Sequence, residues 1–323
     1  MTDINQRPMT ATEWGLLCLL GAVWGGSFFF NAIAVRELPP ITFVMLRLAL
    51  GAAILWGVMA ITRAPLPRER EVWLIAVGLG LLNAVLPYTA IVWGQKYIES
   101  GTAAILNATT PLFTVVVAHL FTRDEKITAN GLLGVVFGLV GVAVMIGPDA
   151  IAGLTKEVPA QLAIVSAGLS YACAGVLGRR YSALGVKPLA AACLQLSCGA
   201  LLLAPLAIVI DQPWTIDPPG LATWGSVLGI AVLSTAFAYV LLFRILATAG
   251  ATNTSLVTLL VPVSAVLLGV LVLGERLAPE HLAGMALIAV GLALKDGRLL
   301  AIFRGRGRPP RDGDQRPLPV DRS

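Results

Sequence analysis

Apolar runs of about 20 residues follow one another through almost the whole chain, and this constrains the fold more than any other feature. A helix needs about that length to cross a hydrocarbon core of about 30 Å. Ten such runs can be marked off, at residues 14–35, 39–61, 72–93, 101–121, 127–147, 159–180, 188–210, 219–243, 251–273 and 279–296. A chain that is 57% hydrophobic and only 13% charged, with a mean hydropathy of +0.83, lies far from soluble domains, about a quarter of whose residues are charged. No strand periodicity interrupts the runs, and a lipid-facing segment has to satisfy its backbone internally. The expected fold class is therefore an all-α integral membrane protein with ten transmembrane helices.

The basic residues orient the bundle. With the N-terminus in the cytoplasm, the segments falling inside hold 18 of the 23 Lys and Arg, and those outside hold only Arg36, Lys96, Lys156 and Arg276. Both termini are thus expected in the cytoplasm. The first run is too long for a signal peptide core and is one of ten similar segments, so it reads as a span. Past Phe303 the tail carries Arg304, Arg306, Arg308 and Arg311 among glycines and prolines. It reads as a disordered segment that meets anionic lipid, and it lacks the interleaved aromatics of a nucleic-acid binder.

The chain also repeats itself. A shift of 151 lays Pro111 on Pro262, Asn107 on Thr258, Asn83 on Ser234 and Tyr88 on Tyr239; after one deletion Glu125 falls on Glu275, Gly134 on Gly284 and Gly141 on Gly291. Pro40 and Arg47 match Pro188 and Gln195 with the same spacing. The domain reading is a cytoplasmic tail at 1–13, a first five-helix repeat at 14–147, a periplasmic linker at 148–158, a second repeat at 159–297 and a basic tail at 298–323. Five is odd, so the second repeat is inverted relative to the first. Inverted repeats are a recurring plan of secondary transporters, which expose a midplane site to either side by rocking one half against the other.

Trp24-Gly-Gly-Ser27, Arg47 following Pro39-Pro40, the mid-helix prolines, and Gly274-Glu275-Arg276-Leu277 followed by Gly284 and Gly291 resemble EamA-type members of the drug/metabolite transporter superfamily. The resemblance covers about residues 14–297. It implies a ten-helix exporter of small metabolites in the bacterial inner membrane, with amino-acid exporters among the similar bacterial proteins. The first repeat departs from it, reading Arg123-Asp124-Glu125-Lys126 where the second has Gly-Glu-Arg.

Polar residues inside the spans mark the expected substrate path. Trp24, Ser27 and Asn31 share one face of span 1, and Tyr171 of span 6 is their counterpart. Arg47 is the single charge well inside a span, where a basic residue costs on the order of 2.5–3.5 kcal/mol on insertion scales. It either ties down a broken helix or attracts a substrate carboxylate, and Gln195 occupies its place in the other repeat. Span 3 adds Asn83 and Tyr88, span 8 Ser234 and Tyr239, span 4 Asn107 and Thr110, and span 9 Thr254 and Thr258. Each of Pro87, Pro111 and Pro262 lies four residues after a polar residue (Asn83, Asn107 and Thr258) and removes the hydrogen bond to its carbonyl, so all three read as hinges. Ala238 stands where the second repeat should have its copy of Pro87, so the first half is expected to be the more kinked. Glycine ridges on spans 5 and 10 read as scaffold or as contact with a second copy.

Missing residues narrow the chemistry. No acidic residue lies deep in a span, which argues against proton-driven export of lipophilic cations. Amides, hydroxyls, aromatic rings and one arginine suit a zwitterionic or neutral small molecule, such as an amino acid. An enzyme would need converging nucleophiles or metal ligands, yet Cys18, Cys173, Cys193 and Cys198 have no metal spacing and the two histidines lie far apart. No phosphate-cradling glycine motif and no cofactor requirement is legible. Other amphipathic metabolites or drugs are the competing cargo, and a passive channel or a polytopic membrane enzyme is the competing class.

Overall fold

A computed structural model describes residues 9–122, 126–147 and 157–296. Most of both expected tails, the linker and the Arg123-Asp124-Glu125 stretch lie outside the described residues. Among the described residues there are ten apolar helices, the last two shorter than the rest: α1 (Ala11–Ala34), α2 (Pro40–Thr62), α3 (Arg70–Gly94), α4 (Ser100–Phe121), α5 (Ala129–Ile146), α6 (Glu157–Tyr181), α7 (Pro188–Asp211), α8 (Leu221–Gly250), α9 (Val257–Leu273) and α10 (Pro279–Leu294). No strand occurs among the described residues. The chain is an all-α membrane protein of two inverted five-helix repeats.

Local chemistry sets the helix ends. Thr10 and Glu13 form a reciprocal capping box at the start of α1, and Thr128 caps α5 through the Gly131 amide. Pro40 and Pro188 stand in the first turns of α2 and α7, where the missing N–H costs nothing. Large outward-facing side chains are apolar, among them Leu132, Val136, Leu201, Val209 and Leu271, while Asn31, Arg47, Gln95 and Thr235 are buried. That inversion of the soluble pattern is what a lipid solvent selects.

The packing does not follow the repeat boundary. Helix α1 packs on α8 and α9 of the second repeat; its counterpart α6 packs on α3 and α4 of the first; α2 packs on α7, and α5 on α10. Glycines bring the backbones together at these seams. A Cβ on Gly25 would fall 2.7 Å from the Val261 carbonyl oxygen, and one on Gly80 would fall 2.9 Å from that of Gln195. The glycine ridges of α5 and α10 meet each other within the chain: a Cβ on Gly291 would stand 2.6 Å from the Gly134 carbonyl oxygen. The ridge is thus taken up by scaffold contact.

Three carboxylates join the helices at the end of the bundle that holds the α1–α2 turn. Glu37 accepts from the Gly220 amide (2.7 Å) and the Thr223 hydroxyl (2.7 Å) at the start of α8. These bonds hold its carboxyl below its ordinary pKa. Asp211 accepts from the Thr42 amide (2.7 Å) and hydroxyl (2.9 Å) at the start of α2, and Glu275 holds the start of α4. Anionic groups at helix N-termini are favoured by the unpaired amides and the helix dipole. All three belong to the end poor in Lys and Arg.

Two sequence expectations are corrected here. The break in span 4 lies at Ala108–Thr109, next to Pro111, but in the second repeat it lies at Ser255–Leu256, and Pro262 sits inside the continuous helix Val257–Leu268. Gly250, with φ 78°, makes the turn that ends α8 and leads into the segment before this break. The first half is also not the more distorted one. Residues Leu81–Val85 of α3 form a π turn, yet Ile230–Phe237 of α8, without a proline, form a longer one. Replacing Gly291 by leucine should overpack the α5–α10 seam and destabilise the protein by about 1–3 kcal/mol. The readout is thermal unfolding in detergent, with Leu132→Ala on the lipid face as the near-neutral comparison.

Candidate functional site

The π turn of α3 lines a central chamber through Asn83, and the π turn of α8 leads into Tyr239 and Leu242, which line it too. In a π register the amide that should serve the Leu82 carbonyl is that of Pro87, which has none, and the Ser170 hydroxyl of α6 donates to that carbonyl instead at 2.7 Å. The carbonyl freed by Pro87 is therefore that of Leu82, where the α-helical spacing had pointed to Asn83. The carbonyl freed by Pro111, that of Asn107, is filled by the Thr110 hydroxyl at 2.7 Å. In α8 the Thr235 hydroxyl donates back to the Ile230 carbonyl at 3.0 Å, a bond that spans the five residues of the π turn. A proline is one way to open a helix; a hydroxyl that follows the wider register is another.

Arg47 explains why Thr235 is there. Its Nε donates to the Thr235 Oγ1 at 3.1 Å, and its guanidinium carbon lies 3.9 Å from the centre of the Tyr88 ring. Gln195, the repeat counterpart, makes the mirrored pair of contacts: Nε2 donates to the Tyr239 hydroxyl and Oε1 accepts from Asn83 Nδ2 at 3.3 Å. Each of the two residues thus touches the tyrosine of its own half and a polar group of the other. One member of the pair is charged and the other is not.

The chamber has a volume of about 320 Å³, at the small end of ligand pockets. Among the residues proposed from sequence, Trp24, Ser27, Asn31, Arg47, Asn83, Tyr88, Asn107, Thr110, Tyr171, Tyr239 and Thr258 line it. Gln195 stands behind the wall, holding Asn83 and Tyr239. Ser234 donates to the Val23 carbonyl at 2.8 Å and ties α8 to α1, and Thr254 donates to the Gly250 carbonyl of its own turn at 2.7 Å. Thr114 faces outward and bonds the Thr110 carbonyl, so the stripe of α4 stops at Thr110. Phe28, Ile91, Ala104, Ala108, Leu242 and Val261 complete the wall without having been named. All but Ala108, which sits in the break of α4 next to Asn107, lie three or four residues from a named one, and that spacing was the available signal.

Two acceptors in this wall have no donor. Gln95 Nε2 donates to the Phe28 carbonyl at 2.9 Å, so Gln95 Oε1 is the atom that accepts from Asn31 Nδ2 at 2.8 Å. This fixes the Asn31 amide and leaves its Oδ1 buried and unpaired; Asn107 Oδ1 is in the same condition. Among the described residues no carboxylate lines the chamber. It therefore offers a cation, two free acceptors and an aromatic wall in which Tyr88 and Tyr171 meet edge to face at 6.4 Å. No group of three His, Cys, Asp or Glu able to hold a metal occurs among the described residues.

The sequence model of the EamA-like transporter family matches residues 13–147 and 158–295, once in each repeat. The chain belongs to the EamA-like transporter family. It is 26% identical over 271 residues to the uncharacterized transporter YoaV of Bacillus subtilis (84% of this chain, 91% of that one). It is 28% identical over 290 residues to the uncharacterized inner membrane transporter YedA of Escherichia coli K12 (87% and 89%). One solved crystal structure, at 21% identity, superposes with a TM-score of 0.63 over 91% of this chain and 99% of its own, a likeness of fold. An EamA-like transporter that holds Arg47 of α2 against the π turn of α8 depends on Thr235 for that contact. Thr235→Val keeps the volume but strands the Arg47 N–H and the Ile230 carbonyl, and should cost about 1–3 kcal/mol in thermal unfolding.

Proposed function

We propose that this EamA-like transporter exports small zwitterionic metabolites, amino acids foremost, by alternating access. The observation that carries the reading is the pairing, in one buried chamber, of the Arg47 guanidinium with no carboxylate beside it and the unpaired amide oxygens of Asn31 and Asn107. A carboxylate neutralises the arginine through charge-assisted hydrogen bonds, and an ammonium group satisfies the amide oxygens. Trp24, Phe28, Tyr171 and Leu242 receive the apolar remainder. The inverted repeats supply two approaches to the chamber. Export is the direction implied by the family resemblance alone, because a passive carrier runs down whichever gradient it meets.

The test is counterflow of a radiolabelled amino-acid panel in proteoliposomes. Saturable exchange with at least one amino acid is expected, and a flux that shows no countertransport stimulation would mark a channel. Asn107→Ala combined with Thr258→Ala should lower exchange at normal expression. Arg47→Gln should reduce it by a factor of about 10–100, the equivalent of losing one charged hydrogen bond of about 1.5–3 kcal/mol. Exchange that survives both changes unaltered would move the binding site out of this chamber.

A further inference from the structure

Helices α4 and α9 are repeat counterparts, α4 broken at Ala108–Thr109 and α9 preceded by a break at Ser255–Leu256, and they are treated differently at the two ends of the bundle. At the end poor in Lys and Arg, the first part of α4 (Ser100–Asn107) packs against α9 and its terminal π turn, Gly269–Leu273. At the opposite end the corresponding pair, the start of the α9 segment and the last part of α4 (Thr110–Phe121), shows no comparable packing among the described residues. The chamber is thus closed at the first end by an α4–α9 contact that has no equivalent at the other.

One side chain occupies the middle of that contact. Glu275 Oε1 accepts from the Ser100 amide at 2.9 Å, and Oε2 accepts from the Ser100 hydroxyl at 2.8 Å and the Gly101 amide at 3.2 Å. The Arg276 amide returns a bond to Glu99 Oε1 at 3.3 Å. Space for the carboxylate comes from Gly269, where a Cβ would fall 2.2 Å from Glu275 Oε2, and Gly101 lets Val266 approach to within 3.2 Å of its own Cβ position. Gly274, at φ 71°, turns the chain so that Glu275 can fold back over α9, with its amide on the Gly269 carbonyl. Ser100 is fully buried, so its hydroxyl has no water to fall back on.

We propose that Glu275 is the latch of the outer gate: the carboxylate holds the α4 N-terminus onto α9, and it has to let go before the chamber opens to the side poor in basic residues. Glu37 and Asp211 are the internal controls. They use the same chemistry at the same end, but Glu37 ties the α1–α2 turn to α8, and Asp211 ties α7 to α2, so neither crosses the α4–α9 contact. The latch rests on the alternating-access reading but not on the identity of the cargo.

The experiment measures how fast a membrane-impermeant maleimide reaches a cysteine placed at Ala104, a chamber-lining residue of α4. The four native cysteines are replaced by alanine, and the probe is added from either side of oriented vesicles. Glu275→Ala should raise labelling from the basic-poor side about tenfold, as removal of a bond favouring the closed state shifts the two populations. Glu275→Gln, which keeps the size and one acceptor oxygen, should raise it less, while Glu37→Ala and Asp211→Ala should leave it at the parent rate. A cysteine pair at Ser100 and Glu275, read out by peptide mass spectrometry, should slow labelling when oxidised and release it on reduction. The latch is rejected by an unchanged rate in both Glu275 variants, by an equal rise in the Glu37 and Asp211 variants, by a rise from both sides alike, or by an oxidised pair that slows nothing. No substrate enters the measurement, so a panel without exchange and a gate without a latch are separate results.

Discussion

A single buried cation organises the centre of this molecule. Arg47 lies where hydrocarbon would surround it, and every neighbouring element is shaped to make that tolerable. Tyr88 offers the face of its ring, Thr235 offers an oxygen, and α8 widens into a π register that lets the Thr235 hydroxyl also serve the Ile230 carbonyl. The charge is held but not neutralised, because what holds it is dipolar and aromatic. A site built in this way keeps its electrostatic appetite for whatever enters the chamber.

The opposite half repeats the arrangement without the charge. Gln195 reaches Tyr239 and Asn83 as Arg47 reaches Tyr88 and Thr235. The two halves therefore share one frame, and the difference between Arg47 and Gln195 makes the chamber polar in a directional sense: cationic on the α2 side, with free amide oxygens from Asn31 and Asn107 on α1 and α4. The symmetry of the fold and the asymmetry of the site come from the same residues.

Much of this was legible in the sequence, and for definite reasons. Ten spans could be counted because lipid enforces length and apolarity, and most of the chamber lining could be named because a polar residue in a span has few other reasons to be there. The apolar wall residues Phe28 and Leu242 carried no such signal, since a leucine facing a chamber and a leucine facing lipid look alike. The hinge assignment failed at Pro262 for another reason. Proline removes a hydrogen bond, but whether the helix breaks there depends on what else holds it, and Pro262 stays inside the unbroken helix Val257–Leu268. The π turn of α8 escaped notice because a threonine hydroxyl bonding five residues back leaves no mark in composition.

The interleaved packing has a consequence for how such a fold can be divided. Because α1 lies with α8 and α9, and α6 with α3 and α4, each sequence repeat lends its first helix to the other. Cutting the chain at the linker would give two pieces that each expose glycine-lined backbone where a partner helix belongs. The heritable unit, five helices long, and the mechanical unit, a borrowed helix with two hosts, are different objects. An ancestor consisting of one repeat would have been stable only as an antiparallel pair in which each copy completed the other.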